Sequence, residues 1–172
     1  LGEGDEYHYL TDPTNPDSDG DGLNDNLEVS NCIYGEENNE CTNPNNSDTD
    51  GDELNDYDEI NNCTYGLNNT NSECTDPNNA DSDNDGLNDY EEINTHKTDP
   101  MHSDSDGDGL NDKLEIIVLE SNPLNDDSDR DGLDDYWEWV RTNQGYQYSL
   151  KLSDTDADGT QDGDEDLDTD GL

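Results

Sequence analysis

One acidic pattern, D-x-D-x-D-G-L-N-D-x-x-E, recurs six times, starting at Asp17, Asp48, Asp81, Asp104, Asp127 and Asp154. A repeat of this kind decides the architecture before any single residue does, because each copy must bury its few apolar groups against neighbouring copies. From Asp81 to Asp104 and from Asp104 to Asp127 the interval is 23 residues. The other intervals are longer, and the first two carry insertions that contain cysteines. Between copies stands a second signature, seen as Thr11-Asp12-Pro13, Thr42-Asn43-Pro44, Thr75-Asp76-Pro77, Thr98-Asp99-Pro100 and Ser121-Asn122-Pro123. Proline there ends whatever helix precedes it. Each unit therefore has room for one Asp-rich loop, about two turns of helix and a Pro-terminated turn. Asp at position nine and Glu at position twelve read as a capping box opening the helix. Leu23, Leu54, Leu87, Leu110 and Leu133 at position seven, with Val29, Ile60, Ile93, Ile116 and Trp139 at position thirteen, supply a sliver of core.

Little else in the composition can drive folding. The 172 residues carry a net charge of -45, only 24% are hydrophobic, and there is no Phe. Such a chain is disordered by its own repulsion unless a cation binds it. Most of its 50 Asp and Glu residues stand at positions one, three, five, nine and twelve, so the charge is placed by the repeat rather than spread along an acidic tail. Nucleic acid and anionic membranes are excluded as partners, since both need a basic surface. No apolar run approaches the roughly 18 residues of a membrane span, so no membrane insertion is expected. The first residues lack a basic stretch followed by an apolar one, and a secreted form is expected to have lost its leader.

Carboxylates at loop positions one, three and five converge on one point when the chain coils tightly, and a hard cation wants six to eight such oxygens at about 2.3 to 2.6 Å. Glycine at position six permits the turn, the position-seven carbonyl adds an oxygen, position nine acts through water, and Glu at twelve supplies two more. The chemistry is that of calcium. Magnesium demands a stricter octahedral shell, and zinc prefers His or Cys. The expected ligands of loop 17–28 are Asp17, Asp19, Asp21, Leu23, Asp25 and Glu28, and those of loop 48–59 are Asp48, Asp50, Asp52, Leu54, Asp56 and Glu59. Loop 81–92 offers Asp81, Asp83, Asp85, Leu87, Asp89 and Glu92, and loop 104–115 offers Asp104, Asp106, Asp108, Leu110, Asp112 and Glu115. Loop 127–138 offers Asp127, Asp129, Asp131, Leu133, Asp135 and Glu138, and loop 154–165 offers Asp154, Asp156, Asp158, Thr160, Asp162 and Glu165. One such loop reads equally well as an acidic turn; six in register do not. The second loop is expected among the weakest, because Glu53 takes the place of the turn glycine. Asp166, Asp168 and Asp170 begin a seventh motif with no room for a helix before it, and Glu165 is expected close to both sites.

The four cysteines form two local pairs in polar loops, and the expected disulfides are Cys32–Cys41 and Cys63–Cys74; a four-cysteine zinc site is the rival and wants tighter spacing. Disulfides and millimolar calcium both belong outside the cell. Sequons at Asn45, Asn62 and Asn68 lie in or beside the same loops, and a short Asn-rich loop accounts for them equally well.

The unit T-D-P, a short spacer, D-S-D-G-D-G-L-N-D and a closing Glu resembles the thrombospondin type 3 repeat in the form found in bacterial and archaeal surface proteins. The resemblance covers roughly the whole chain. It implies repeats that bind calcium without long flanking helices, form linear arrays at the cell surface, and are not enzymes. Glu53, the cysteine insertions and the segment from Trp139 to Leu152 depart from the pattern. An EF-hand needs an amphipathic helix entering the loop, which is missing here. A dockerin-like module is nearer, but it expects two loops and longer apolar helices.

Residues 145–152 alternate apolar and polar and read as a short strand. With Trp137, Trp139 and Val140 the segment is either a clamp between the fifth and sixth repeats or an adhesive edge. Ile116, Ile117, Val118 and Leu119 carry the same two readings. His8, His96 and His102 stand in polar linkers and read as solvated, and no Ser, His and Asp grouping has a pocket in which to work. At the ends, Leu1, Glu3 and Glu6 fall at positions seven, nine and twelve, so partial motifs 1–6 and 166–172 either meet head to tail in a fibre or mark a longer array that was cut. The expected fold over 1–172 is a single tandem array, irregular and calcium-stabilised, with metal loops each followed by a short α-helix, little β structure and an elongated rod or solenoid-like stack. The expected role is an extracellular or cell-surface stalk, spacer or adhesive element holding six or more calcium ions. Its rival is a module that docks a protein or glycan.

Overall fold

The computed structural model describes residues 10–30, 41–61 and 74–165. The chain divides into two compact units, Leu1–Met101 with the first three loops and His102–Leu172 with the last three. The partial motifs at 1–6 and 166–172, with Asp166, Asp168 and Asp170, lie outside the described residues, as do Cys32, Cys63, Asn62, Asn68 and His8.

Every repeat folds the same way because its aspartates tie the backbone into a coil. Position one accepts from the amide of position six in all six loops and from that of position four in the first, second, fourth and fifth: Asp17 Oδ1 from Gly20 at 2.7 Å and Oδ2 from Gly22 at 3.2 Å. Position five accepts from position seven, as Asp52 does from Leu54 at 2.7 Å. Such a coil needs two left-handed residues. Position six has φ between 86° and 109° at Gly22, Glu53, Gly86, Gly109, Gly132 and Gly159. Position four is left-handed too, although it holds Asn84, Arg130 and Ala157 as well as glycine. Glu53 adopts the strained φ of 86° and still donates its amide to Asp48 at 3.1 Å, so the second loop keeps its shape at a local cost.

Short helices follow the loops. In chain order they are α1 (Asp25–Ser30), α2 (Asp56–Asn61), α3 (Asp89–Glu91), α4 (Asp112–Leu114) and α5 (Asp135–Asn143). α3 and α4 widen into π-helical turns, Glu92–His96 and Glu115–Leu119, and the sixth repeat has only a 3-10 turn, Asp162–Asp164. The capping expectation is corrected by one position. Asn88, Asn111 and Asp134 at position eight are the N-caps, accepting from Glu91, Leu114 and Trp137. Asp at position nine is the first helical residue, and its carboxylate is occupied elsewhere: Asp25 accepts from the amide of Ser18 at 2.7 Å and from its hydroxyl at 2.9 Å. The same pair of bonds recurs between Thr49 and Asp56, Ser82 and Asp89, Ser105 and Asp112, Ser128 and Asp135, and Thr155 and Asp162.

The interior is acidic more than apolar. Leu23, Leu54, Leu87 and Leu110 are buried, but Glu59, Glu92, Glu115 and Glu138 are fully so, at 0% exposure. The expected core at position thirteen is only half-buried, because the chain has too little apolar surface to cover it. No strand occurs among the described residues. The strand expected at 145–152 is thereby corrected. Its alternation is real, with Tyr148 and Leu150 buried and Tyr146 and Leu152 exposed, yet no second segment pairs with it. It is held instead by side chains. Thr142 donates its hydroxyl to the Tyr148 carbonyl at 3.0 Å, the Arg141 guanidinium lies 5.3 Å from the Tyr148 ring centre, and the Tyr148 hydroxyl donates to Glu165 at 3.0 Å. These are the contacts of a clamp from α5 to the sixth repeat.

Because Glu53 sits at a φ that disfavours side chains, Glu53→Gly is expected to stabilise the calcium-loaded protein by about 1 kcal/mol. Thermal unfolding in excess calcium reads this directly, and an unchanged or lowered midpoint would show that the second loop carries no strain.

Candidate metal centres

Position one spends both carboxylate oxygens on the loop, as Asp17 does, whereas several aspartates at positions three and five spend one and keep the other buried. Asp19 and Asp21 each spend Oδ1 on an amide two residues on, and their Oδ2 atoms are buried with no hydrogen bond. Asp106 and Asp108 are in the same position, as is Asp50. Glutamate at position twelve enters from the helix and is steered by the Thr-x-Pro signature. The Thr42 hydroxyl donates to Glu28 Oε1 at 3.2 Å, Thr98 to Glu92 Oε1 at 3.1 Å, and Ser121 to Glu115 Oε1 at 3.0 Å. The second oxygens of Glu28, Glu92 and Glu115 are buried without a hydrogen bond. In Asp17, Asp19 and Asp21, one oxygen from each lies within 4.8 Å of the others, and the same holds for Asp48, Asp50 and Asp52, for Asp81, Asp83 and Asp85, and for Asp104, Asp106 and Asp108.

A buried carboxylate oxygen with no donor is expensive, and several sharing one hollow are more so. Burial and then mutual repulsion push Asp50 and Asp106 up to about 7 and Asp21 and Asp108 up to about 6. Glu59, Glu92 and Glu138 rise to about 9, and Glu28 and Glu115 to about 8. Two partners relieve that cost, protons or a cation. An all-oxygen donor set with orphaned, converging carboxylate oxygens fits a hard divalent ion.

Of the residues expected from the sequence, the structure brings positions one, three and five together in the first four loops, and Glu28 beside Asp21 in the first. Position seven contributes its amide to the coil, from Leu23, Leu54, Leu87, Leu110, Leu133 and Thr160. Position nine differs from expectation, since Asp25, Asp56, Asp89, Asp112, Asp135 and Asp162 bond to residue two of their own loops. The Ser or Thr at position two was missed. It also accepts the amide of the Asx in the preceding Thr-x-Pro, as Ser18 does from Asp12 at 2.9 Å and Thr49 from Asn43 at 2.9 Å. The signal was visible, because Ser18, Thr49, Ser82, Ser105, Ser128 and Thr155 are all hydroxyl residues. The sixth loop is the most open: Asp156, Asp158 and Thr160 are exposed, and Glu165 is turned to Tyr148.

The chain matches the bacterial TSP3 repeat family at residues 17–31, 81–102 and 104–126. Among solved structures, a "Biofilm associated protein - B domain" is similar at 40% identity over 26% of this chain and 11% of that one, with a TM-score of 0.26. A "Biofilm associated protein - BSP domain" is similar at 41% identity over 26% of this chain and 8% of that one, with a TM-score of 0.25. The match thus spans about a tenth of the length of either solved chain. No curated protein matches the sequence.

The raised glutamates predict proton release on calcium binding. Their folded values near 9 exceed the unfolded 4.5, so without a cation the folded form is favoured below about 4.5 and loses that advantage as pH rises through about 9. At pH 7 calcium must displace these protons. Calorimetric heats measured in buffers of different ionisation enthalpy are expected to diverge, and affinity is expected to fall from pH 7 to pH 5. Identical heats in all buffers would show the carboxylates already ionised.

Proposed function

We propose that this chain, which carries bacterial TSP3 repeats, is an extracellular calcium-binding array that acts as a stalk, spacer or adhesive element of a cell surface. The observation that carries the reading is the set of buried carboxylate oxygens without hydrogen bonds, repeated from loop to loop and converging in each. Calcium, when bound, supplies the positive charge that these oxygens lack and links folding to its own concentration. Positions one, three, five and twelve of each repeat would hold it, giving six or more ions per chain, with Glu165 and the open sixth loop the least complete set. The protein's own part is to keep those oxygens apart from water and aimed inward, through the loop amides and the Thr-x-Pro hydroxyls.

An elongated, rod-like or solenoid-like array is part of the same proposal. The role is structural rather than enzymatic. The disulfides Cys32–Cys41 and Cys63–Cys74 belong to the same proposal: the Cys41 sulfur lies 3.9 Å from the Val29 carbonyl and the Cys74 sulfur 3.6 Å from the Ile60 carbonyl, so each returning cysteine meets the helix that its loop left.

A docking role for protein or glycan is the second reading, favoured by the exposure of Trp137 at 51%, Tyr146 at 47% and Leu152 at 56%. Trp139, half-buried beside Tyr136, is the less accessible ring. Under this reading Trp137→Ala abolishes binding to a surface partner without altering calcium uptake. An unchanged partner affinity removes it.

Calcium titration by calorimetry, followed in parallel by circular dichroism, tests the main proposal. At least about four ions and a loss of helical signal with chelator are expected. Fewer ions, or spectra indifferent to chelator, would overturn it.

A further inference from the structure

Position nine is a buried acid in every repeat, and its two oxygens accept the amide and the hydroxyl of residue two in its own loop, as in Asp56 with Thr49. Asp56 also meets the repeat before. One oxygen each from Asp21, Glu28 and Asp56 lies within 4.8 Å of the others, so a first-repeat loop carboxylate and helix carboxylate meet the position-nine carboxylate of the second repeat. The hollow is buried and acidic. Asp56 is 0% and Glu28 4% exposed, and Glu28 Oε2 and Asp21 Oδ2 have no hydrogen bond.

The neighbouring residue shows that this seating is built rather than incidental. Position ten meets the preceding loop in the second, third, fifth and sixth repeats. The Tyr57 ring closes over Gly22, where an added Cβ would meet it at 3.2 Å, and Tyr136 covers Gly109 at 3.4 Å. The Tyr90 amide donates to Asp52 Oδ2 at 3.1 Å, and the Gly163 amide to Asp131 Oδ2 at 2.9 Å. In the second unit the charge of Asp135 reaches Asp108 and Glu115, and that of Asp162 reaches Asp129 and Glu138. The sixth loop, over which no repeat packs among the described residues, keeps Asp156 and Asp158 exposed where Asp52 and Asp131 are buried.

We propose that, within each unit, the position-nine carboxylate of one repeat closes the cation site of the repeat before it: Asp56 joins Asp21 and Glu28 around an ion rather than serving its own loop 48–59. Its two bonds from Thr49 do not forbid this, since each carboxylate oxygen has a second lone pair. The assignment rests on the calcium reading above and adds a direction to it. A site depends on the repeat that follows it in sequence, and the repeat before it contributes nothing of this kind.

The test is a calcium titration of the whole chain followed by amide NMR, reading Gly20 and Gly22 for the first site and Gly51 and Glu53 for the second. Asp56→Asn is expected to raise the calcium midpoint at Gly20 and Gly22 about tenfold, through loss of one charged ligand, and to move Gly51 and Glu53 less than about twofold. A shift at Gly51 and Glu53 with Gly20 and Gly22 unmoved would assign Asp56 to its own loop and overturn the inference. Thr49→Ala removes the hydroxyl bond but keeps the carboxylate, and is expected to leave the first-site midpoint in place. If it raises that midpoint as far as Asp56→Asn does, the effect is loop order rather than ligation, and the inference fails. Should Asp56→Asn not fold, Asp135→Asn puts the same question in the second unit, read at Gly109 against Gly132. Wild-type amides that ignore calcium altogether would sink the calcium reading itself, an outcome distinct from either result for the variants.

Discussion

Repulsion between buried carboxylates is the constraint on which everything else in this protein depends. An ordinary small domain buries apolar side chains and leaves its acids in water. Here the fully buried side chains among the described residues are mostly acids, Glu59, Glu92, Glu115 and Glu138 with Asp56, Asp89, Asp112, Asp135 and Asp162, and Leu23, Leu54, Leu87 and Leu110 are buried with them. Without a compensating charge that interior opposes folding. With one, each acid becomes a cross-link among loop, helix and neighbouring repeat.

The division of labour within a carboxylate makes this workable. In Asp19, Asp21, Asp106 and Asp108 one oxygen is spent on shape and the other is kept for charge. Asp17, Asp19 and Asp21 coil their loop by accepting amides, and Glu28 is aimed by Thr42. The geometry is therefore largely set by bonds that need no ion, and the two left-handed residues per loop are its conformational cost. At position six that cost falls on glycine in five of the loops and on Glu53 in the other, and at position four Asn84, Arg130 and Ala157 bear it in three.

Much of this was legible in the sequence. The loops, their register and the oxygens at positions one, three, five and twelve followed from a pattern too regular to be accidental. Four things were not legible, each for a physical reason. Asp-x-x-Glu imitates a capping box, and only the backbone shows that the Asn or Asp before it caps the helix. The hydroxyl at position two looked like a spacer because its bonds run to residues six or seven away, such as Asp12 and Asp25. Left-handed φ at position four is hidden when Arg130 or Ala157 occupies it. The alternation at 145–152 reported the burial of Tyr148 and Leu150, and burial of every second residue does not require a pairing strand.

The two long insertions have a consequence for what this array can carry. Thr98 returns to Glu92 across 6 residues, while Thr42 returns to Glu28 across 14, and both end in the same hydroxyl-to-carboxylate contact. An excursion that leaves and re-enters at one place adds length without advancing the register. The junction between helix end and Thr-x-Pro is thus a permissive port, where sequence can be lengthened, shortened or exchanged for a foreign epitope while the spacing of the sites on either side stays as it was.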